Sequence, residues 1–276
     1  MCFRMSGRMN QSNQETDLLQ IRQIKKYIDQ TDALGTKRDV VRALDGVSFS
    51  VKRGEAFGVV GETGSGKSTL ARLITRLIDP TSGDILYNGK SIIGLKGKNL
   101  KEYRKKVQMV FQNPYGSLDP RQKVGDSLKE AMYANNTCEK SELEKRTIEL
   151  LTLVGLNSEH ANRYPHELSG GQRQRLAISR ALCLEPEMIV LDEPTSFLDV
   201  SIQAQILELL NDLRVKLNLT YIFISHNLSV IWYMCGNVVV MQSGKIVESG
   251  DRDRIFRNPQ NEYTKELIQS IPTALD

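Results

Sequence analysis

Eight consecutive residues carry the strongest chemical signal in this chain: Gly61, Glu62, Thr63, Gly64, Ser65, Gly66, Lys67 and Ser68. Their spacing is G-x-x-x-x-G-K-[ST]. The glycines allow the backbone to curl so that its N–H groups converge on phosphate oxygens. Lys67 is placed to reach the β- and γ-phosphates of a nucleoside triphosphate, and the Ser68 hydroxyl to ligate Mg2+. Ala56 to Val60, just before the loop, reads as a buried strand. After it, Thr69 to Ile78 reads as a helix stopped by Asp79-Pro80. The start of that helix near Lys67 adds the partial positive charge of a helix N-terminus, and Thr69 completes the nucleotide-binding set.

Met188-Ile189-Val190-Leu191 is an apolar run that ends in Asp192-Glu193. A buried strand here delivers two carboxylates to the C-terminal edge of a sheet, where α/β proteins place their ligands. Asp192 would hold Mg2+, through water, and Glu193 would polarise an attacking water as general base. Leu168-Ser169-Gly170-Gly171-Gln172 adds a different kind of anion site. Ser169 and Gln172 form a capping box, and the two glycines leave the first N–H groups of a helix open. One phosphate loop is already present, so this helix start fits a second nucleotide held by another subunit.

Taken in chain order, Gly61 to Ser68, then Leu168 to Gln172, then Met188 to Glu193, these segments resemble the ATP-binding cassette (ABC) family, and the resemblance runs from about Leu18 to Asp276. The resemblance implies roles for further residues. Gln112, in Val110-Phe111-Gln112-Asn113-Pro114, is similar to the glutamine that senses Mg2+ and couples to the membrane partner. Ser196 to Asp199 resembles the loop that crosses the dimer interface, with Asp199 at the nucleotide. His226, after Ile222 to Ser225, resembles the histidine that contacts the γ-phosphate, and Tyr27 the aromatic residue that stacks on adenine. The implied catalytic set is therefore Glu193, His226 and Gln112, and the implied metal set is Ser68, Gln112 and Asp192.

Within the family, the runs Asn113 to Arg121, Arg163 to Glu167 and Asp199 to Gln205 are similar to the oligopeptide/dipeptide/nickel importer subfamily. Gly171-Gln172, Ser201 to Gln205, and Asn258-Pro259 with Tyr263-Thr264 resemble the F-type ATPase subunit of oligopeptide permeases. The resemblance implies ATP and Mg2+ as ligands and a second ATP-binding subunit as partner, with a heterodimer favoured. It also implies two transmembrane permease subunits and an external substrate-binding protein. The chain would then lie on the cytoplasmic face of the cell membrane. A nickel or metal-chelate importer is the alternative. A soluble ABC ATPase acting on DNA or the ribosome is less favoured, because the stretch between phosphate loop and Ser169 is short and lacks sustained heptads. Two departures stand out. The chain ends at Asp276 without the cysteine-rich tail of many relatives, so no tail metal site is expected, and Phe197 replaces a small residue in the interface loop.

The elements that must position these residues follow from pattern. Strands alternate with helices, so the expected fold is α/β: a P-loop NTPase with an ABC-type RecA-like core and a mainly parallel sheet. An antiparallel β subdomain and an inserted helical subdomain at roughly 113–184 complete it, with a C-terminal extension at roughly 250–276. Leu18 to Ile28, Ala43 to Val51, Gly83 to Tyr87, Lys106 to Phe111, Tyr221 to Ser225 and Asn237 to Met241 read as further strands, and Asp29 to Asp39 as a turn. Ser141 and Glu144 read as a capping box for a helix ended by Gly155. Ile202, Ile206, Leu209, Leu210, Leu213 and Leu217 form one stripe of an amphipathic helix. Residues 1–17 are polar and read as disordered, leaving 18–276 as a single ATP-binding domain.

Composition supports a globular chain: 276 residues, 40% hydrophobic and 25% charged. No apolar run approaches the ~20 residues of a spanning helix. The net charge of +4 is modest, and the basic cluster from Lys96 to Lys106 is broken by Glu102 and reads as a solvated surface, so no nucleic-acid partner is expected. Cys2, Cys138, Cys183 and Cys235 are too scattered for a metal knuckle and fit a reducing compartment. No apolar signal stretch follows Cys2, which argues against a secreted or lipidated start.

Overall fold

The computed structural model describes residues 17–31, 37–113 and 118–270. The expected disordered N-terminus falls on residues outside this set, except for Asp17, which already belongs to the first strand. Two sheets divide the strands. Strands β1 (Asp17–Thr31), β2 (Lys37–Lys52), β4 (Ser82–Tyr87) and β5 (Lys90–Ser91) form an antiparallel sheet in the order β2-β1-β4-β5. Both long strands run further into the segment read as a turn, leaving only 32–36 between them.

The second sheet has the order β10-β9-β3-β8-β7-β6. Its members are β3 (Ala56–Val60), β6 (Val107–Val110), β7 (Met188–Asp192), β8 (Thr220–Ser225), β9 (Asn237–Gln242) and β10 (Lys245–Asp251). All neighbours are parallel except β10, which returns antiparallel along β9. Every residue of β3, β7 and β8 is buried, as strands covered on both faces require. Register aligns Val60 with Ser225 and Asp192 with Ile224, so the loops leaving β3, β7 and β8 emerge side by side at one edge. That alignment assembles the site.

Helix α1 (Lys67–Ile74) lies between the two sheets. Its Leu70, Leu73 and Ile74 share a core with Leu19, Ile21, Leu44 and Ile85 of the antiparallel sheet and with Val59, Val190 and Ile222 of the parallel one. It starts two residues earlier than Thr69 and ends four before Ile78. The stop is a Schellman turn. Arg76 takes a left-handed φ of 57°, its N–H donates to Leu73 O, and the Leu77 N–H reaches back to Arg72 O. The Arg76 side chain is buried and pairs with Asp79, which explains an arginine where glycine is usual.

The basic cluster read as plain surface forms a helix, α2 (Gly97–Lys106), anchored by the single buried residue Tyr103. A helical unit follows, with α3 (Val124–Asn135), α4 (Leu143–Leu153) and α5 (Gly170–Leu182). The expected capping box at Ser141 and Glu144 does not form. A 3-10 turn at Lys140–Glu142 leads into α4, and Glu144 instead pairs with Lys129 of α3 at 2.7 Å. Gly155, with φ 74°, ends α4 as expected. Helix α6 (Val200–Leu217) buries Ile206, Leu207, Leu210 and Leu213. The chain closes with α7 (Leu228–Met234), α8 (Arg252–Arg257) and α9 (Glu262–Gln269). Among the described residues no helix is long and apolar enough to cross a membrane.

Candidate functional site

The loop Gly61 to Gly66 leaves the end of β3 and enters α1 directly. Two glycines are required by space. A Cβ on Gly61 would lie 2.1 Å from Met241 O, and one on Gly66 would lie 2.4 Å from Ala43 O. The loop thus presses against β9 on one side and β2 on the other. Its curl is held by Ser65 N–H donating to Glu62 O (3.1 Å) and by Gly244 N–H donating to Ser65 O (3.0 Å). Thr63 and Gly64 form the open tip. Gly66 heads α1 without any side-chain cap, so the first N–H groups beside Lys67, Ser68 and Thr69 remain open to an anion.

Lys67 folds back into the loop. Its Nζ donates to Gly61 O at 2.5 Å and to Glu62 O at 2.7 Å, and the residue is buried. Burial pushes its pKa down, against the opposing pull of the Glu193, Asp192 and Glu62 carboxylates. Asp192, also buried, lies at the tip of β7, and its Oδ1 accepts from Ser68 Oγ at 3.3 Å. Desolvation raises the Asp192 pKa, an effect that the Ser68 hydroxyl partly offsets. These two oxygen ligands, one hydroxyl and one carboxylate beside a loop of free N–H groups, suit a small hard divalent cation carried in with phosphate.

Glu193 has a left-handed φ of 48°, with its N–H bonded to Ile224 O at 2.9 Å. Its carboxylate gathers three donors. Gln112 Nε2 (2.7 Å) and Ser196 Oγ (2.9 Å) reach Oε2, and His226 Nδ1 lies 3.0 Å from Oε1. Burial tends to raise the Glu193 pKa, but the His226 and Ser196 hydrogen bonds and the nearby Lys67 charge outweigh it and hold the carboxyl low. Gln112, Asp192, Glu193, His226, Lys67 and Ser68 are therefore brought together at one sheet edge. By sequence alone Ser196 is only one end of a loop. Its role as a Glu193 partner was not separable there, because serine is common in turns.

The remaining residues have partners outside this cluster. Tyr27, on β1, donates its hydroxyl to Asp45 Oδ1 at 2.7 Å, and the Arg42 guanidinium lies 5.7 Å from its ring centre. Asp45 N–H donates to Gly244 O, and Gly244 N–H to Ser65 O, so Tyr27 is tied to the phosphate loop through the turn at Gly244. The capping box of α5 forms as read, with Gln172 N–H on Ser169 Oγ and Ser169 N–H on Gln172 Oε1. Ser169 and Gly170 are exposed, while Gly171 is pressed on α6, where a Cβ would meet Ile202 Cγ2 at 2.6 Å. Asp199 heads α6 without a capping hydrogen bond from its side chain, and its neighbour Phe197 is 72% exposed.

A family model described as ABC transporter matches residues 44–196. The chain is 46% identical over 255 residues to the dipeptide transport ATP-binding protein DppF of Escherichia coli, covering 92% of this chain and 76% of that protein. It is 47% identical over 257 residues to the oligopeptide transport ATP-binding protein OppF of Bacillus subtilis, covering 92% and 82%. Among solved structures, cbiO1 of Clostridium perfringens, part of the ABC transporter complex cbiONQ, superposes with a TM-score of 0.74 at 29% identity, over 88% of this chain and 91% of that one. The dimeric bacterial ABC transporter cassette MJ0796 gives 0.75 at 27% identity, over 85% and 98%.

Proposed function

The chain belongs to the ABC transporter family and is a nucleotide-binding ATPase of it, and we propose that its hydrolysis of Mg-ATP energises the uptake of oligopeptides or dipeptides. The observation that carries the ATPase site is the convergence of Lys67, Ser68, Gln112, Asp192, Glu193 and His226 at one edge of the parallel sheet. Identities of 46% and 47% to peptide transport ATP-binding proteins support the cargo class.

In this reading the open N–H groups of the loop and of the α1 start bind the phosphates of ATP, and Lys67 supplies the opposing charge. Ser68 and Asp192, with Gln112 alongside, would hold Mg2+, which would supply positive charge to neutralise the phosphate oxygens. Glu193 takes a proton from the attacking water through its carboxylate, which its low pKa keeps ionised and ready to accept. His226, Gln112 and Ser196 hold that carboxylate in place, and His226 turns towards the γ-phosphate. Tyr27 stacks on adenine. Ser169, Gly170, Gly171 and Gln172 face the ATP of a second ATP-binding subunit, and Asp199 crosses the same interface. The chain is read as one ATP-binding domain whose helical unit, roughly 113–184, meets two permease subunits. The chain itself sits on the cytoplasmic face of the membrane, and an external binding protein delivers the cargo.

Glu193→Gln tests the base. ATP should still bind, and turnover of the assembled complex should fall by about 10²- to 10⁴-fold. Wild-type turnover would remove Glu193 from that role. The cargo is tested by adding binding protein loaded with peptide or with a nickel chelate to the reconstituted complex. Stimulation of ATP hydrolysis by the chelate alone would refute the peptide assignment.

A further inference from the structure

The C-terminal segment touches the phosphate loop at the peptide unit joining Gly61 and Glu62. The N–H of that unit, on Glu62, donates to the phenolic oxygen of Tyr263 at 3.0 Å, across 201 residues of sequence. Its C=O, on Gly61, accepts from Lys67 Nζ at 2.5 Å. One amide plane is thus clamped at both ends, by the ammonium and by a phenol. Hydrogen bonds arranged head to tail through an amide polarise and strengthen one another.

The phenol is not a chance surface contact. Tyr263 is 7% exposed and lies in the first turn of α9, where the Asn261 side chain accepts its N–H at 3.0 Å. The turn before α9 is fastened to β10, because Glu248 Oε1 accepts from Gln260 N–H at 2.9 Å and Oε2 from Asn261 N–H at 3.1 Å. Strand β10 pairs with β9, and β9 carries the Met241 carbonyl against which Gly61 is pressed. A single frame of β9, β10 and α9 therefore backs the loop and aims the Tyr263 hydroxyl at it.

We propose that Tyr263 is a positioning residue of the nucleotide site: it fixes the Gly61–Glu62 peptide and, through that peptide, the ammonium of Lys67. The inference rests on the reading of Gly61 to Ser68 as the cradle for ATP phosphates. It gives Tyr263, so far only part of a subfamily resemblance, a task in the site, and it makes the C-terminal segment part of the machinery that binds ATP. Deleting the hydroxyl frees the peptide to rotate, and the cation then meets the phosphates in a wider spread of positions.

The experiment uses Tyr263→Phe, which keeps the buried ring and removes only the oxygen. In the purified full chain, ATP should bind about 2- to 10-fold more weakly, the size of one hydrogen bond, while the melting temperature without nucleotide stays at the wild-type value. In the assembled complex the loss should appear in KM for ATP and not in kcat. Asn261→Ala, which loosens the turn without touching the phenol, should shift KM in the same direction by less. Wild-type ATP affinity in Tyr263→Phe overturns the proposal. So does a lowered melting temperature with unchanged KM, which would make the hydroxyl a prop of the fold alone. Failure of the wild-type chain to bind ATP at all would instead sink the assignment of the loop.

Discussion

Glu187 offers the sharpest test of how the two sheets are joined. It precedes β7 at the end of the sheet opposite the site, and it gathers three partners. Arg53, in the turn after β2, and Tyr87, at the end of β4, reach its Oε2, each at 2.9 Å, and Lys106, at the end of α2, lies 2.7 Å from Oε1. One carboxylate thus pins the antiparallel sheet and α2 to the parallel sheet. Burial works to raise its pKa, but the Lys106, Arg53 and Tyr87 hydrogen bonds prevail and hold it down at about 2. Taken at face value this corresponds to a stabilisation of about 3 kcal/mol. Arg53 and Lys106 are about half exposed, however, and Glu187 itself is 27% exposed, so screening brings the expected value to about 1–2 kcal/mol. A depressed folded-state pKa stabilises the protein above the unfolded value and ceases to do so as pH falls. Glu187→Gln should therefore lower the melting temperature at pH 7, by about 2–4 °C for each kcal/mol lost. The gap to wild type should narrow below about pH 4.5 and close towards pH 2. Thermal unfolding of both proteins at several pH values measures it. A variant as stable as wild type at pH 7, or a gap that stays constant down to pH 3, would refute the reasoning.

Other substitutions probe the site. Ser169→Asp keeps a good N-cap and places a carboxylate at the open start of α5; it should leave ATP binding by the isolated chain unchanged and depress hydrolysis by the assembled complex, and full activity there would reduce the helix to a structural cap. Gly171 is the wrong place for this experiment, because its side chain would strike Ile202. Tyr27→Ala should weaken ATP binding more than Tyr27→Phe or Tyr27→Trp, as measured by titration, because stacking of ~1–3 kcal/mol uses the ring face; equal losses for all three would point to the hydroxyl bond with Asp45.

The chemistry was legible in the sequence because it demands fixed residue types at fixed spacing. Gly61 to Ser68, Asp192-Glu193 and Ser169 to Gln172 are each local, and each lies where an apolar run or a cap predicts a strand end or a helix start. What was not legible depends on distant partners. Helix α2 has one buried side chain, Tyr103, among ten mostly charged residues, too little to show a periodic stripe. The end of α1 is set by Arg76 in a conformation usually left to glycine, made tolerable by its buried contact with Asp79. The Ser141 and Glu144 pattern was correct in spacing, yet Lys129 on α3 drew Glu144 away. The bond from Glu62 to Tyr263 joins residues 201 apart, and no local pattern encodes it.

The order of strands in the parallel sheet sets a timetable for biosynthesis. Among the described residues, strand β3, which ends in the phosphate loop, has β8 and β9 as its sheet neighbours. Its partner for Val60 on β9 is Val240, made roughly 180 residues later. At a synthesis rate of about 5–20 residues per second, β3 waits on the order of ten to forty seconds as an apolar segment with both edges unpaired. Until β9 leaves the ribosome, the loop lacks the Met241 backing and the Gly244 bond to Ser65, and only the local Ser65–Glu62 bond and the neighbouring β2 favour its curl. The nascent chain thus passes most of its synthesis exposed to mispairing and unable to gain stability from ATP, and nucleotide can act as a folding ligand only once almost the whole chain has been made.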